Sequence, residues 1–369
     1  MRSETALRNK AFSHIYVEER VLSDSKYRER AEAIIKHFPS AVVVKIDHYK
    51  DVFNRHKQSY ASQHESQALV LAVKQGNLVY PGAQVCQSMG NEHFYYASCM
   101  MNCLFDCEYC YLKGMYPSGN MVIFLNLEDI FSEAEALLRE HPVYLCVSYD
   151  TDLMAVESLT GYVGEWIRFT NEHPDLTVEV RTKAGDIDFK RLLTAPVDRV
   201  RGNVEAGEDA KAGGDAETAK FYVSPRVIFA FTLSPEYIVK HYEHKTGALG
   251  SRIKSINRAL ELGFTVRLCF DPMIYCPDWR TEYGAMMDRV FAEVPMDRIN
   301  DVSVGSFRLS EDYLKAMRHN MPDSAVVQYP YENDHGVYHY SSKLTNEMER
   351  WMVERLKERI SEDKIFRWD

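Results

Sequence analysis

From about residue 94 onward, short runs rich in β-branched and aromatic residues alternate with stretches whose apolar residues recur every three or four positions. That alternation pairs buried strands with amphipathic helices and builds a parallel sheet. The runs that read as strands are His93–Cys99, Val143–Ser148, Thr177–Thr182, Val227–Thr232, Thr265–Phe270 and Val302–Ser306. Helical stretches follow most of them, at Leu127–Arg139, Ser158–Asn171, Ile187–Leu193, Ser251–Leu262, Glu282–Ala292 and Glu311–Arg318. The simplest closure of such units is an α/β fold, a partial (β/α)6 barrel of the TIM type over residues 91–322.

Residues 1–90 precede the alternation and read as a small N-terminal αβ cap, with a helix near Lys26–His37 and a strand near Ala41–Ile46. Residues 201–220 are rich in Gly, Ala and acidic side chains with almost no large apolar one, which predicts a mobile acidic surface insertion. Residues 323–369 read as a C-terminal hairpin and a docked helix. The hairpin signal is a set of turn residues, Asn333 to Gly336, between alternating aromatics from Tyr329 to Tyr340. Met348, Trp351, Met352, Leu356 and Ile360 then share one helix face.

Hydrophobic residues at 46% and charged residues at 27% exclude a disordered, collagen-like or coiled-coil chain. Forty-four Lys and Arg against 54 Asp and Glu leave a net charge of -10, so nucleic acid is not bound through bulk charge and any contact is a local patch. Candidates for such a patch are Arg252, Lys254, Arg258, Arg308 and Arg318, although scattered surface charges are usually just solvated. The chain has no apolar run of the ~18 residues a membrane span needs, and its first residues lack the apolar core of a secretory signal. A cytoplasmic protein with no membrane partner is expected.

Eight cysteines stand at 86, 99, 103, 107, 110, 146, 269 and 276. In a reducing compartment, the four crowded between Cys99 and Cys110 read as metal ligands rather than disulfides. Cys103, Cys107 and Cys110 form a C-x3-C-x2-C spacing just after a predicted strand. Three thiolates on one loop suit three irons of a 4Fe-4S cluster and leave the fourth iron open to a substrate. A structural zinc knuckle completed by Cys99 or His93 is the alternative, but the second ligand pair usual for zinc is absent. Cys99, Cys103 and Cys107 offer another register; Tyr109 and Tyr111 beside the last cysteine favour the later triplet.

Strand parity puts Cys146 and Ser148 on one face of their strand and Val143, Leu145 and Val147 on the other. The apolar face should meet the helices, so Cys146 looks into the barrel near the strand ends where barrel active sites lie. Free cysteine is also an ordinary small core residue. Glu179, Arg181 and Lys183 share a face, as do Arg267, Cys269 and Asp271. Such a polar interior is either a ligand chamber or an internal ion-pair network.

The cysteine triplet with its preceding aromatic resembles the radical S-adenosylmethionine enzymes. Together with Asn126-Leu-Glu-Asp-Ile-Phe131 and Cys146, it is similar to the spore photoproduct lyase family, from about His93 to the C-terminal helix. The resemblance implies a 4Fe-4S cluster on Cys103, Cys107 and Cys110 and S-adenosylmethionine contacted by Ser148 and Lys183. It implies a lyase that splits the methylene-bridged thymine dimer of UV-damaged DNA through a 5′-deoxyadenosyl radical. Cys146 would be the hydrogen donor, with Tyr109 and Tyr111 in the relay and Cys86 a weaker second donor. The family uses the hairpin to extrude the lesion, yet Glu332 and Asp334 stand here where basic residues would face phosphate. The resemblance further implies a reducing partner such as flavodoxin or ferredoxin, and a monomer is expected. The alternatives are a divergent relative acting on another nucleic-acid lesion or a small molecule, and a zinc-stabilised nucleic-acid-binding module without catalysis.

Overall fold

The computed structural model describes residues 12–82, 86–194 and 223–367. The predicted insertion at 201–220 lies outside the described residues. The predicted strands form side by side in one sheet and in chain order: β1 (Phe94–Ala97), β2 (Val143–Cys146), β3 (Leu176–Thr182), β4 (Val227–Thr232), β5 (Thr265–Met273) and β6 (Asp301–Ser306). Each is parallel to the next. Val79–Pro81 adds an antiparallel strand beyond β1, and Ile365–Arg367 a parallel one beyond β6, so the sheet is open with two ends. The central β4, Val-Ile-Phe-Ala-Phe-Thr, is buried at every position, as expected of a parallel strand covered on both faces.

The predicted helices appear within a few residues of their expected ends, with one exception. The stretch read as a single helix over 158–171 is two, Glu157–Thr160 and Tyr162–Glu172, divided at Gly161. Gly161 has φ +68° and nothing within 4 Å of where a Cβ would stand, so its left-handed backbone rather than crowding requires glycine there. Val143, Leu145 and Val147 enter the main core with Val163, Trp166 and Ile167 from the second of these helices. Parity thus leaves Tyr144 and Cys146 on the opposite, inner face.

A second sheet has the strand order Val42–Ile46, His14–Glu18, Leu69–Ala72, Met121–Phe124, Met100–Met101. It draws strands from both sides of residue 90. The cysteine loop leaves this sheet after Met101, and the chain returns to it at Met121, which hangs the loop between the two sheets. The C-terminal hairpin pairs Glu332–Asp334 with Val337–His339 through a tight turn in which His335 (φ +48°) and Gly336 (φ +86°) are both left-handed. Arg308–Ser310 pairs with its second strand and ties the hairpin to the end of β6. The last helix starts at Ser342, earlier than its apolar stripe, because the Ser341 hydroxyl caps it by accepting from the Leu344 N–H at 3.3 Å.

The inner face of the large sheet carries a buried ion network. Arg267 on β5 donates to the carboxylate of Glu179 on β3, to the Tyr144 hydroxyl on β2 at 2.6 Å and to Asp301 on β6 at 2.9 Å. In a flat sheet β2 and β5, three strands apart, would lie about 14 Å from each other, and side chains stand off the surface, so these bonds require a concave face. Burial works against the Glu179 charge, but Arg181 and Arg267 hold its carboxyl at about 2.

Glu179 therefore contributes stability that is present above the ordinary carboxylate value of 4.5 and is lost as pH falls toward about 2. Glu179→Ala should cost about 3–5 kcal/mol at neutral pH by taking from Arg181 and Arg267 the carboxylate they share, leaving Arg267 only Asp301 and the Tyr144 hydroxyl, and should flatten the acid limb of the stability curve. Urea unfolding across pH reads both effects; a loss below about 1 kcal/mol would show that the network does not support the fold.

Candidate active site

The loop that carries Cys103, Cys107 and Cys110 is fastened along its length. Asn102, at φ +64°, turns the chain out of the second sheet, and its side-chain amide donates to the Ser118 and Asn120 carbonyls at 2.7 and 2.6 Å. Asp106–Cys107 forms a two-stranded antiparallel pair with Glu243–His244, with Cys107 opposite Glu243. The Glu108 N–H continues that pairing onto the Tyr242 carbonyl at 2.8 Å. Held this way, the three thiols lie within one another's electrostatic reach. Cys99 is directed elsewhere: it is buried, and its influences are Trp166, Lys74 and Asp150.

Burial pushes each of the three loop thiols up, and the Lys183 ammonium pulls Cys107 and Cys110 back toward ionisation. Among the described residues no three His, Cys, Asp or Glu side chains are drawn around one point as for a metal ion. As a donor set, three thiols on one loop beside a cation have the soft chemistry of an iron-sulfur site. The loop docks at the carboxyl ends of β2 and β3. Cys103 receives a backbone hydrogen bond from Asp152, and its Sγ accepts another from the Phe105 N–H at 3.4 Å.

Tyr109 and Tyr111 flank Cys110 but are sent to different partners. The Tyr109 hydroxyl donates to the Glu243 carboxylate, which also accepts from Ser234 at 2.7 Å and from the fully buried Arg252. Burial opposes the Glu243 charge, and Arg252 followed by Lys183 brings its carboxyl down to about 2. Lys183 stands 5.5 Å above the Tyr109 ring. Tyr111 instead donates to the main-chain carbonyl of Tyr149. The Glu243–Arg252 clamp was not legible in the sequence, because its members carry no motif and its hold on Tyr109 spans 134 positions of the chain.

On the concave face Cys146 is paired across the sheet with Glu179, and its Sγ lies 4.0 Å from Glu179 Oε1. Burial first, then the Glu179 charge, pushes the Cys146 thiol up to about 12. The chain after Cys146 is stapled to the end of β3: Ser148 Oγ accepts from the Arg181 N–H at 2.6 Å, and Asp152 accepts from the Lys183 N–H at 2.7 Å and the Thr182 hydroxyl at 2.9 Å. Ser148 and Lys183 thus stand at neighbouring strand ends. Cys86 lies on the same side, its Sγ 3.4 Å from the Tyr149 hydroxyl.

A family model described as spore photoproduct lyase matches residues 220–365, downstream of the cysteine loop. The chain is similar to the spore photoproduct lyase of Bacillus subtilis, 21% identical over 205 residues, covering 54% of this chain and 52% of that protein. It is likewise similar to that of Clostridium acetobutylicum, 22% identical over 212 residues, covering 56% and 53%. The chain spans about half the length of the curated relatives it matches. Among solved structures it is similar to a spore photoproduct lyase mutant with bound AdoMet and dinucleoside spore photoproduct, at TM-score 0.73 and 17% identity over 98% of this chain and 99% of that one. A lyase complexed with dinucleoside spore photoproduct gives TM-score 0.73 and 16% identity over 97% and 98%. These likenesses carry the fold, an α/β architecture resembling that partial barrel.

A thiol at about 12 is almost wholly protonated at neutral pH, and only the thiolate is alkylated. Iodoacetamide at pH 8 should therefore modify Cys146 at least ~100-fold more slowly in the folded protein than in the urea-unfolded chain, read by peptide mapping. Equal rates in the two states would remove the protonated-thiol assignment.

Proposed function

The chain belongs to the spore photoproduct lyase family of the radical S-adenosylmethionine superfamily, and on that premise we propose that it splits the spore photoproduct in UV-damaged DNA back into two thymines. In this reading Cys103, Cys107 and Cys110 hold a 4Fe-4S cluster, and Ser148 and Lys183 contact S-adenosylmethionine. When bound, the cluster and S-adenosylmethionine supply the 5′-deoxyadenosyl radical that takes a hydrogen from the lesion. Lys183 adds a positive charge beside Cys107 and Cys110 at the mouth of the chamber.

Cys146 completes the repair by giving its hydrogen atom to the thymine methyl radical left when the bridge breaks. Its S–H bond breaks, a C–H bond forms, and a thiyl radical remains for the tyrosines to quench. Donation of this kind needs S–H rather than the thiolate. Glu179, held anionic by two arginines, accepts from that S–H and opposes its ionisation. The observation that supports the reading most directly is this neutral thiol on the concave face, at the strand ends onto which the three-thiol loop is docked.

One observation favours a relative with the same chemistry and another substrate. Glu332 and Asp334 are exposed at the hairpin that would meet the duplex, where their charges repel phosphate.

The test is an anaerobic assay of the iron-reconstituted protein with S-adenosylmethionine, a reductant such as flavodoxin, and DNA carrying a defined spore photoproduct. Recovery of thymine together with 5′-deoxyadenosine formation is expected. Cleavage of S-adenosylmethionine without thymine recovery would reject this substrate and leave the radical chemistry. Cys146→Ala should keep 5′-deoxyadenosine formation but lose clean return to two thymines. Replacing Cys103, Cys107 or Cys110 by Ala should remove both activities and iron, whereas Cys99→Ala should keep its iron. Equal iron loss in the Cys99 variant would overturn the ligand set.

A further inference from the structure

Three tyrosines outside the cysteine loop stand in line beside the hydrogen donor. Tyr80 is the register partner of Tyr96 across Val79–Pro81 and β1, and Tyr96 is the register partner of Cys146 across β1 and β2. Partnered positions project from the same face of a sheet, so Tyr80, Tyr96, Cys146 and Glu179 form one row. Tyr149 stacks on Tyr96 with ring centroids 4.2 Å apart at 27°, and Tyr96 stacks on Tyr80 at 5.1 Å and 18°.

The inner end of the stack touches the chamber. The Tyr149 hydroxyl lies 3.4 Å from Cys86 Sγ, its ring is 5.8 Å from that of Tyr111, and Cys86 is close enough to Cys146 to influence its ionisation. The outer end reaches the surface. Tyr80 is half-exposed, its hydroxyl donates to the Asn77 carbonyl at 2.6 Å, and Lys74 Nζ sits 4.8 Å from its ring centroid.

Stacked tyrosines in a nucleic-acid enzyme suggest a platform for bases, but a base needs a free ring face. Here Tyr96 already stacks with two rings, those of Tyr149 and Tyr80, and Tyr80 is engaged by Tyr96 and Lys74. What the row offers instead is a series of phenol O–H groups that starts at a thiol and ends at solvent.

We propose that Tyr149, Tyr96 and Tyr80 are a hydrogen-atom relay joining the thiols of the chamber to the protein surface, through which a stranded thiyl radical is quenched from outside. The origin of that radical rests on the proposed lyase reaction; the conduction does not. A thiyl radical on Cys146 first takes the hydrogen atom of the Cys86 thiol, re-forming the Cys146 S–H and leaving the radical on Cys86. The Cys86 sulfur radical then takes the hydrogen atom of the Tyr149 hydroxyl, so an S–H bond forms, an O–H bond breaks, the sulfur is reduced and Tyr149 is oxidised to a phenoxyl radical. Tyr96 then gives its hydroxyl hydrogen atom to Tyr149, and Tyr80 gives its own to Tyr96. At the surface a small-molecule thiol gives its hydrogen atom to Tyr80 and leaves as a thiyl radical, and the thiyl radicals from two such events combine to a disulfide. No net charge crosses the protein at any step, which suits half-buried phenols. Burial raises the Tyr149 hydroxyl and brings Tyr96 to about 12, keeping both protonated.

Because conduction runs in either direction, it is tested from outside without cluster, S-adenosylmethionine or DNA. Under anaerobic conditions the protein is photo-oxidised by tris(bipyridine)ruthenium and persulfate with a nitrone spin trap present, and adducts are mapped by peptide mass spectrometry. Wild type should carry adduct on Tyr80 and on Cys86. Tyr96→Phe should keep the Tyr80 adduct and lose the Cys86 adduct at least ~tenfold, because one hydrogen-bearing step is gone. Tyr149→Phe should keep adduct on Tyr80 and Tyr96 while losing it on Cys86, which separates a broken relay from a misfolded chain. Unchanged Cys86 adduct in both variants would overturn the relay. That outcome alongside intact thymine repair would leave the lyase reading standing, and the expected adduct pattern without repair would leave a relay served by another radical source.

Discussion

A guanidinium at 2% exposure has almost no water to solvate it, so the charge of Arg267 must be met by protein. Meeting it draws Glu179, Tyr144 and Asp301 together from three strands on the concave face of the sheet. The geometry of the chamber follows. Glu179 is spent on Arg267 through one oxygen, and its other oxygen is left for Arg181 at 3.0 Å and for the Cys146 thiol at 4.0 Å. The same ion pair that closes the floor therefore sets the chemistry of the sulfur above it. An anion at that distance keeps the thiol protonated, where a cation would have produced a nucleophile.

The cysteine loop obeys a similar rule at the other end of the chamber. Arg252, with no exposed surface, is neutralised by Glu243, and Glu243 in turn receives the Tyr109 hydroxyl and sits opposite Cys107 in a short ladder. Each buried arginine thus positions a sulfur through an acid: Arg267 through Glu179 for Cys146, Arg252 through Glu243 for the loop. Both networks are costly to break, because removing one partner leaves the other charge buried. Lys183 belongs to the second network: its main chain is held by Asp152, and its ammonium faces the loop thiols and Glu243.

Much of this plan was readable from local pattern. The alternation of runs placed the strands in their observed order, parity put Val143 and Leu145 in the core and Cys146 on the inner face, and the turn residues located the hairpin. Those features depend on residues a few positions apart, where chain geometry leaves few choices. Two local features escaped because they lack periodicity: the break at Gly161 and the Ser341 cap each depend on one residue's backbone or hydroxyl.

By itself the sequence determined the six-unit α/β plan, the clustering of three thiols on one loop, and which face Cys146 would take. It posed the choice between a ligand chamber and an ion network for Glu179, Arg181 and Arg267, and could not resolve it, because charge on a strand face says nothing about what stands opposite. Only the tertiary structure decided that Arg267 meets Glu179 and Asp301, that Glu243 clamps Tyr109, and that Tyr80, Tyr96 and Cys146 fall in one row. Register and sheet curvature govern those pairings, and both are set by how whole strands dock over long separations in the chain rather than by any neighbouring residues.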